Sequence, residues 1–351
     1  MMQRLGNYIR PVDVRNRDLK VKLSQGICNA KYFQNPKQVA ENPETHKAVR
    51  TGQFAYNRAT TRNGEKISIA LRQGPDCTVS SAYQVFEVVD ENILDPEYLM
   101  MWFRRPEFDR LAIFYSHGSA HEFFEWESMC EVQVPVPAIE EQRRIVAEYN
   151  TIQKRIATNK KLIETLEQAA QTLYRHTFVD NIDPNNLPEG WRMGTLGEIA
   201  EFANGKLTEL TPNGEYPVYG GNGIVGKTNS FNGENIIVIG RVGINCGCLY
   251  LEPNKCWIND NAIKGIPSGV PIQFLYWHMR NLNLNAQSEG SSQPLITQGI
   301  LNNQECLLPP SNDIELFAER VETVMRACRL KQQENQTLTQ MQTLLLSKMG
   351  V

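Results

Sequence analysis

The fold of this chain is decided by residues 140–176, EEQRRIVAEYNTIQKRIATNKKLIETLEQAAQTLYRH, a stretch that contains neither proline nor glycine. Apolar residues recur in it at alternating steps of four and three, with one polar interruption. That spacing is typical of a long helix with a coiled-coil seam. The seam positions are Ile145, Tyr149, Ile152, Ile156, Asn159, Ile163, Leu166, Ala170 and Leu173.

A second stretch of this kind, residues 313–348, repeats the first at a shift of 172 positions without a gap, so that Leu166 falls on Leu338. A short extended run precedes each stretch and ends at Pro137 or Pro309, where the fixed φ and missing N–H of proline suit the entry to a helix. The sequence therefore predicts one plan, a globular domain and then a long helix, used twice. The second seam is more polar: Phe317, Val321, Val324, Cys328, Lys331, Asn335, Leu338, Gln342, Leu345 and Met349.

The two globular parts are rich in short β-type runs separated by glycine, asparagine and proline. These runs are residues 66–71, 83–89, 235–239 and 248–251, and one short helical stretch lies in each part, at 96–103 and 274–279. We therefore predict the α+β class. The expected boundaries are globular domains at 1–138 and 181–310 and long helices at 139–180 and 311–351.

Composition excludes several classes of protein. The chain has 351 residues, 41 % of them hydrophobic, which is enough for two folded domains. No apolar run approaches the roughly 20 residues that span a bilayer, and the first 17 residues lack the apolar region of a signal peptide. The eight cysteines are scattered as in a protein with reduced thiols. We expect a cytoplasmic protein that does not bind a membrane.

One motif suggests nucleotide chemistry. Residues 221–228, GNGIVGKT, match the pattern of a phosphate-binding P-loop. A true P-loop follows a buried strand and opens a helix, whereas here Pro217 interrupts the upstream run and residues 229–233 form a turn sequence. A loop between strands is the favoured interpretation, and a P-loop nucleotidase is the alternative from the class of enzymes.

The sequence predicts neither catalytic residues nor a metal site. Cys246, Cys248 and Cys256 lack the spacing of a zinc site. The five histidines form no metal motif and no partner set for a nucleophile, although His117 and His121 share a polar loop. That loop is either a solvated turn or part of a binding site.

The remaining signal is a set of polar loops in both halves. Arginine and lysine suit guanine edges, and asparagine and glutamine suit adenine edges, so these loops favour contact with DNA bases. The candidates are Arg58, Thr60, Thr61, Arg62, Ser81, Tyr83 and His117 in the first half, and Tyr219, Asn222, Lys227, Arg241, Asn259, Asn261, Ser292 and Gln293 in the second.

The order of these features resembles the specificity subunit of type I restriction-modification systems. The likeness covers nearly the whole chain and rests on the repeat and on a series of short motifs. They are the helix opening at 137–145, PAIEEQRRI; GWRMGTLGEI at 190–199, YPVYG at 216–220 and IIVIGRVG at 236–243; and RN at 15–16, GQFAYN at 52–57 and VSSAYQVF at 79–86. The second helix, opening PSNDIE at 310–315, lacks the Glu-Gln pair of the first.

The resemblance implies two target-recognition domains, each recognising one half of a bipartite site in double-stranded DNA, and two long helices that pair as an antiparallel coiled coil in a tandem pseudo-twofold repeat. It implies a non-catalytic chain on which two methyltransferase subunits and motor-endonuclease subunits assemble. The docking candidates are Glu141, Gln142 and Arg144. No cofactor is expected in this chain, since S-adenosylmethionine, ATP and Mg²⁺ belong to the partners. The alternative outside the enzymes is a coiled-coil scaffold for other proteins that does not bind DNA.

Charge and length refine this expectation. The net charge of −3 lies in the second globular part: residues 181–310 carry net −4, against 0 for residues 1–138. We therefore expect weak DNA binding by the chain alone. A seam over residues 145–177 is roughly 50 Å long at 1.5 Å per residue, or about one and a half turns of B-DNA, so the two half-sites should flank an unread gap.

Overall fold

A computed structural model describes residues 2–36, 42–59, 66–116, 123–180, 182–287 and 294–349. The chain divides into two compact units. The first contains Met1–Thr158 and Glu334–Val351, and the second contains Asn159–Gln333. Each unit therefore holds one globular domain together with part of both long helices.

Among its described residues, the globular domain of the first unit has ten strands, three short α-helices and the entry to a long helix. The strands are β1 (Met2–Arg4), β2 (Ile9–Val12), β3 (Gly26–Ile27), β4 (Phe33–Gln34), β5 (Lys47–Val49), β6 (Phe54–Asn57), β7 (Ile69–Leu71), β8 (Cys77–Val79), β9 (Tyr83–Val88) and β10 (Gln133–Pro135); the helices are α1 (Pro96–Phe103), α2 (Pro106–Phe114), α3 (Trp126–Glu131) and the long α4 (Ile139–Phe178).

The described part of the second unit repeats this plan with nine strands and two short α-helices. The strands are β11 (Arg192–Thr195), β12 (Ala200–Asn204), β13 (Tyr216–Gly220), β14 (Gly223–Thr228), β15 (Ile236–Gly240), β16 (Leu249–Glu252), β17 (Trp257–Ile258), β18 (Ala262–Pro267) and β19 (Glu305–Leu308); the helices are α5 (Ile272–Asn281), α6 (Gln298–Asn303) and the long α7 (Ser311–Lys348).

Each domain is closed by pairing its first strand with its last. Strand β1 pairs antiparallel with β10, and β11 with β19. The main sheet of the first domain has the order β2-β9-β6-β7, and that of the second has the order β12-β18-β15-β16. A smaller sheet, β14-β13-β17, completes the second domain. The run that enters each long helix is thus an edge strand, a position that tolerates proline.

Aromatic residues fill the core beneath each main sheet. In the first unit the ring of Phe54 stacks on Phe86 at 4.8 Å and meets the edge of Phe103 at 5.8 Å. In the second unit Phe178 of α4 packs against Phe274 of α5 at 5.4 Å and against Phe317 of α7 at 5.3 Å. The long helices are therefore part of the cores of the domains that they join.

The two long helices run antiparallel within each unit. In the first unit Arg155 of α4 forms an ion pair with Glu334 of α7, with 2.6 Å between Nε and Oε1, while Leu345 near the end of α7 packs on the core that holds Tyr149. In the second unit the rings of Tyr174 and Phe317 lie 5.6 Å apart. All seam positions predicted in both helices are buried or half-buried, and Asn159 is only 2 % exposed. The α+β class and the antiparallel pair are confirmed.

The prediction of one short helix per domain was incomplete, because α2, α3 and α6 were missed. Helix α2 begins three residues after α1 ends, with Pro106 at its first position. Helices α3 and α6 have only six residues each, too short for a clear period of 3.6. The predicted strand at 66–71 is confined to β7, Ile69–Leu71.

Candidate nucleic-acid interface

In the second domain three chain segments meet around the β13–β14 turn. Gly220 pairs with Gly223, which leaves Gly221 and Asn222 at the tip, and Gly223 has a φ of +87°. A Cβ atom on Gly221 would lie 3.0 Å from the carbonyl oxygen of Asn261. Glycine is required here because the turn packs directly against backbone. We call residues 219–223, 241–242 and 259–261 the loop cluster.

Backbone hydrogen bonds hold the loop cluster together. The Arg241 N–H donates to the Asn261 carbonyl at 3.0 Å, and the Asn259 N–H donates to the Tyr219 carbonyl at 2.9 Å. The Asn259 side chain accepts from the Asn261 N–H at 2.9 Å. The structure thus brings Tyr219, Asn222, Arg241, Asn259 and Asn261, five of the sequence candidates, to one place.

The side chains of the loop cluster differ in what they present. Asn222 and Asn261 are exposed. The Arg241 guanidinium donates through Nη1 to the Asp260 carbonyl at 3.2 Å, while its Nε is buried without a hydrogen-bond partner in the described part of the chain. Tyr219 is buried at 7 % exposure, and its hydroxyl donates to Glu252 at 2.8 Å. Burial, reinforced by that carboxylate, raises the pKa of Tyr219. Its hydroxyl therefore supports the cluster from inside.

Lys227 lies apart from the loop cluster. It is exposed on β14, where it pairs with Pro217, four residues beyond the turn. Residues 221–228 form a turn and a strand, and they are followed by a bend and not by a helix. A P-loop needs a helix that begins directly after the loop, so that its N-terminus can face the phosphates. The structure describes all of this segment, and no such helix follows it.

In the first domain the described candidates lie at one end of the main sheet. Tyr83 at the start of β9 pairs with Asn57 at the end of β6, and Arg58 follows directly. Ser81 is exposed in the turn before β9. Arg58 forms an ion pair with Glu125 at 3.2 Å and lies over the ring of Phe123 at 5.9 Å. The structure thus places Arg58, Ser81 and Tyr83 where the end of β6 meets the start of β9.

Six sequence candidates fall outside the described residues: Thr60, Thr61, Arg62, His117, Ser292 and Gln293. Sequence reasoning missed one exposed side chain beside the loop cluster. Ile244, three residues after Arg241, is 90 % exposed, which is unusual for a large aliphatic residue. The available signal was an isoleucine between turn residues, Gly243 and Asn245, where no core position is expected.

The three docking candidates at the start of α4 separate into two kinds. Arg144 binds Glu141 through two hydrogen bonds, of 2.8 Å and 2.6 Å, and also contacts Glu148; all three side chains are largely exposed. The Arg144 hydrogen bonds lower the pKa of the Glu141 carboxyl. These residues form a fixed, exposed ladder of charges.

Gln142 requires a correction, because its side chain is fully buried and is not available at the surface for docking. Its amide nitrogen donates to the carbonyls of Ile93 and Pro137, both at 2.8 Å, and its oxygen accepts from the Asp95 N–H at 2.9 Å. Asp95 in turn caps α1. Gln142 therefore fixes the start of α4 to the cap of α1 inside its own domain.

We also looked at the described residues for a metal site, a membrane-spanning helix and reactive cysteines. These residues contain no group of three or more His, Cys, Asp or Glu side chains able to hold a metal ion, and no helix among them has the length and apolarity needed to cross a membrane. All eight cysteines are free thiols. Burial raises the pKa of the Cys256 thiol to about 12, which keeps it protonated and unreactive.

Two units of one plan, each with polar loops at one end of its sheets, define a tandem-repeat protein. The profile of a family described as the type I restriction modification DNA specificity domain matches this chain twice, over residues 17–168 and 188–340. The chain belongs to that family.

Similar proteins carry the same description. The chain is 29 % identical over 125 residues to the EcoprrI specificity subunit of Escherichia coli, covering 33 % of this chain and 31 % of that one. It is 22 % identical over 248 residues to the MjaVIII specificity subunit of Methanocaldococcus jannaschii, covering 59 % and 58 %. The matches thus span about a third of the first relative and just over half of the second.

The fold has a counterpart among solved structures. The S subunit of a type I restriction-modification system from M. genitalium aligns with a TM-score of 0.64 at 15 % identity, over 99 % of this chain and 95 % of that one. This likeness extends through both domains and both long helices, and it concerns the fold alone.

Proposed function

We propose that this chain is the DNA sequence-specificity subunit of a type I restriction-modification complex. Each globular domain recognises one half of a bipartite target in double-stranded DNA. The observation that carries this proposal is that the specificity-domain profile matches once in each half, 17–168 and 188–340, and that each half presents polar loops at one end of its sheets.

The recognition residues proposed in the second domain are those of the loop cluster. Asn222 and Asn261 supply exposed amides suited to adenine, and Arg241 supplies a guanidinium suited to guanine, while Asn259 holds the turn that presents Asn261. Ile244 adds an exposed aliphatic surface suited to the methyl group of thymine. In the first domain Arg58, Ser81 and Tyr83 have the corresponding role.

The proposed partners are two methyltransferase subunits and motor-endonuclease subunits. The charge ladder of Glu141, Arg144 and Glu148 is a docking surface at the start of α4. Position 144 corresponds to Leu316 in α7 at the 172-residue shift, and Leu316 is 47 % exposed. The two helix starts thus offer different surfaces. Catalysis, with S-adenosylmethionine, ATP and Mg²⁺, belongs to the partners, and the complex acts in the cytoplasm.

The test is a selection of DNA from a randomised duplex pool by the chain purified with its methyltransferase partner. The proposal predicts enrichment of two short sequences at a fixed separation, and binding that weakens steeply with salt because phosphate contacts release counterions. A pool that stays random would favour a scaffold for other proteins. An ATP affinity of the chain alone that Lys227→Ala abolishes would favour the nucleotidase.

A further inference from the structure

The first unit contains a cavity of about 570 Å³ between α1, α4 and two loops, and its walls are strongly cationic. Four basic side chains line it: Lys31, Arg72, Arg104 and Lys154. Glu97 is the single carboxylate among the described lining residues. The rest of the wall combines neutral polar residues, among them Gln73, Asn150 and Gln153, with apolar and aromatic ones such as Phe33, Met100 and Tyr149.

Two of these cations have no carboxylate partner within 4 Å among the described residues. Arg104 donates to the Tyr149 hydroxyl at 3.1 Å and lies over that ring at 5.5 Å. Arg72 is only 6 % exposed, and its guanidinium donates to the Pro75 carbonyl and to Gln25, both at 2.6 Å. A buried cation without a counter-charge is costly, so the site favours an anion.

The positive charge extends from the surface to the interior of the cavity. Lys154 is exposed, Arg104 is half-buried and Arg72 is buried. Lys31 is buried and paired with Asp109 at 2.8 Å. Burial lowers the pKa of Lys31, and the charge of Arg104 acts in the same direction, as expected for cations that share one site.

The second unit offers an internal comparison, because it has a cavity of about 660 Å³ beside the corresponding helix. Helix α5 follows α1 at a shift of 176 residues, which places Arg280 at the position of Arg104. There the cations are paired with carboxylates: Arg280 lies 3.5 Å from Glu167, and Arg329 lies 2.7 Å from Glu322.

At the positions of these two carboxylates the first unit has neutral residues. At the 172-residue shift, Glu322 corresponds to Asn150 and Glu167 corresponds to Thr339. Asn150 donates to Glu97 at 2.6 Å, whereas in the second unit Gln273 donates to Glu322 at 2.8 Å. The first unit therefore keeps an arginine at this position but has a threonine where the second unit has Glu167, the carboxylate that pairs with Arg280.

We propose that the cavity of the first unit binds a phosphate group, with Arg104, Arg72 and Lys154 as the cations that hold it. The phosphate is either a phosphodiester of bound DNA or that of a free phosphate compound. Binding of a DNA phosphodiester rests on the proposed function, whereas binding of a free phosphate compound does not. The second unit does not bind phosphate at its corresponding cavity, because the carboxylates there occupy its arginines.

Inorganic phosphate titrated into the full chain, with chloride at the same ionic strength as reference, tests the free source. If the ligand is free, phosphate binds with one site per chain, and Arg104→Gln and Lys154→Gln each weaken binding by about tenfold, the size expected for a charged hydrogen bond. Arg280→Gln, the matched control in the second unit, leaves binding unchanged.

Duplex DNA bound by the chain with its methyltransferase partner tests the other source. Arg104→Gln and Lys154→Gln are expected to weaken binding to all sequences alike and to reduce the slope of log affinity against log salt by about one. Arg280→Gln again changes nothing. If the wild-type complex shows no sequence preference, the proposed function fails, and the phosphate titration still decides the cavity.

The two experiments together decide whether the cavity binds phosphate and which source supplies it. Loss in the phosphate titration supports a free ligand, and loss confined to DNA binding supports a backbone phosphate. Wild-type behaviour of Arg104→Gln and Lys154→Gln in both experiments overturns the proposal, as does an equal loss with Arg280→Gln. Lys154 is exposed, so its variant remains informative if Arg104→Gln does not fold.

Discussion

At the scale of single residues, the loop cluster separates side chains that build the surface from side chains that are presented on it. Tyr219 and Asn259 are used internally, one in a hydrogen bond to Glu252 and the other in a turn with Asn261. The amide of Asn261 is exposed. It is therefore the best single position at which to test base contact without damaging the fold.

We predict that Asn261→Ala weakens binding to the preferred DNA site by about tenfold to a hundredfold, the loss expected for one bidentate base contact. Stability should be unchanged, because only the exposed amide is removed. Binding is measured by titration of labelled duplex with the chain and its methyltransferase partner. Asn303→Ala, an exposed asparagine at the end of α6, is the matched control. Equal losses in both variants would contradict a specific role.

His278 predicts a pH-dependent stability of the second unit. It is 3 % exposed on α5, its Nδ1 lies 2.7 Å from the Tyr174 hydroxyl, and its Nε2 has no hydrogen-bond partner among the described residues. Burial lowers the pKa of His278 to about 4. The unfolded chain, with an ordinary pKa of about 6.5, binds the proton more readily, so stability is lost as the pH falls from 6.5 towards 4.

At pH 5 this loss amounts to about 2 kcal/mol relative to neutral pH. We expect His278→Gln to remove that part of the dependence, as measured by chemical denaturation at pH 7 and pH 5. His176, on the exposed side of α4, provides the control substitution His176→Gln. A wild-type pH dependence in His278→Gln would show that this residue is not the cause.

The buried side chain of Gln142 stabilises the start of α4, so its removal should lower the free energy of unfolding. Gln142→Ala leaves the carbonyls of Ile93 and Pro137 and the N–H of Asp95 without their partner. We expect the free energy of unfolding to fall by about 2–3 kcal/mol. Gln332→Ala on the exposed face of α7 should cost little by the same denaturation measurement. Equal, small effects would contradict the structural role.

At the scale of elements, the long helices and the repeat were predictable because their signals are long. A seam that persists through the 40 residues of α4 averages out local exceptions, and the 172-residue shift repeats the pattern independently in α7. The six-residue helices could not be predicted, because a helix of that length depends on tertiary contacts. Helix α3, for example, packs against the turn at Leu5–Asn7, far away in sequence.

The candidate site was predictable in residue type but not in exposure. The sequence placed polar candidates in loops, and the structure gathers five of them, four amides or arginines and one tyrosine, into one cluster. The sequence alone could not show that Tyr219 and Gln142 face inward. Their hydrogen-bond partners, Glu252 and Asp95, lie 33 and 47 residues away along the chain. Such contacts follow from the packing of whole strands and helices.

The long helices predict that the separation of the two half-sites depends on helix length. Helix α4 has 40 residues, about 60 Å at 1.5 Å per residue. We predict that deletion of one heptad from α4 and of the equivalent heptad from α7 shortens the preferred gap without changing either half-site, because the seams stay in register. Selection from a randomised duplex pool measures this. An unchanged gap would contradict the spacer role.

At the scale of the whole molecule, the distribution of charge bears on how the proposed DNA recognition would work. The second globular part carries net −4, whereas the first is neutral, so neither has the general positive charge of an independent DNA-binding protein. The specificity-domain profile nevertheless matches both halves. Under the proposed function, the methyltransferase partner supplies much of the contact with the phosphate backbone.

Mapping of methylated bases in a host that expresses this chain with its partner methyltransferase shows whether each domain recognises its own half-site. We expect one bipartite motif, two short sequences separated by a fixed unread gap. Exchange of residues 1–138 for the same region of another family member should change one half of that motif and leave the other half and the gap intact. A contiguous motif, or a change in both halves after the exchange, would contradict the account.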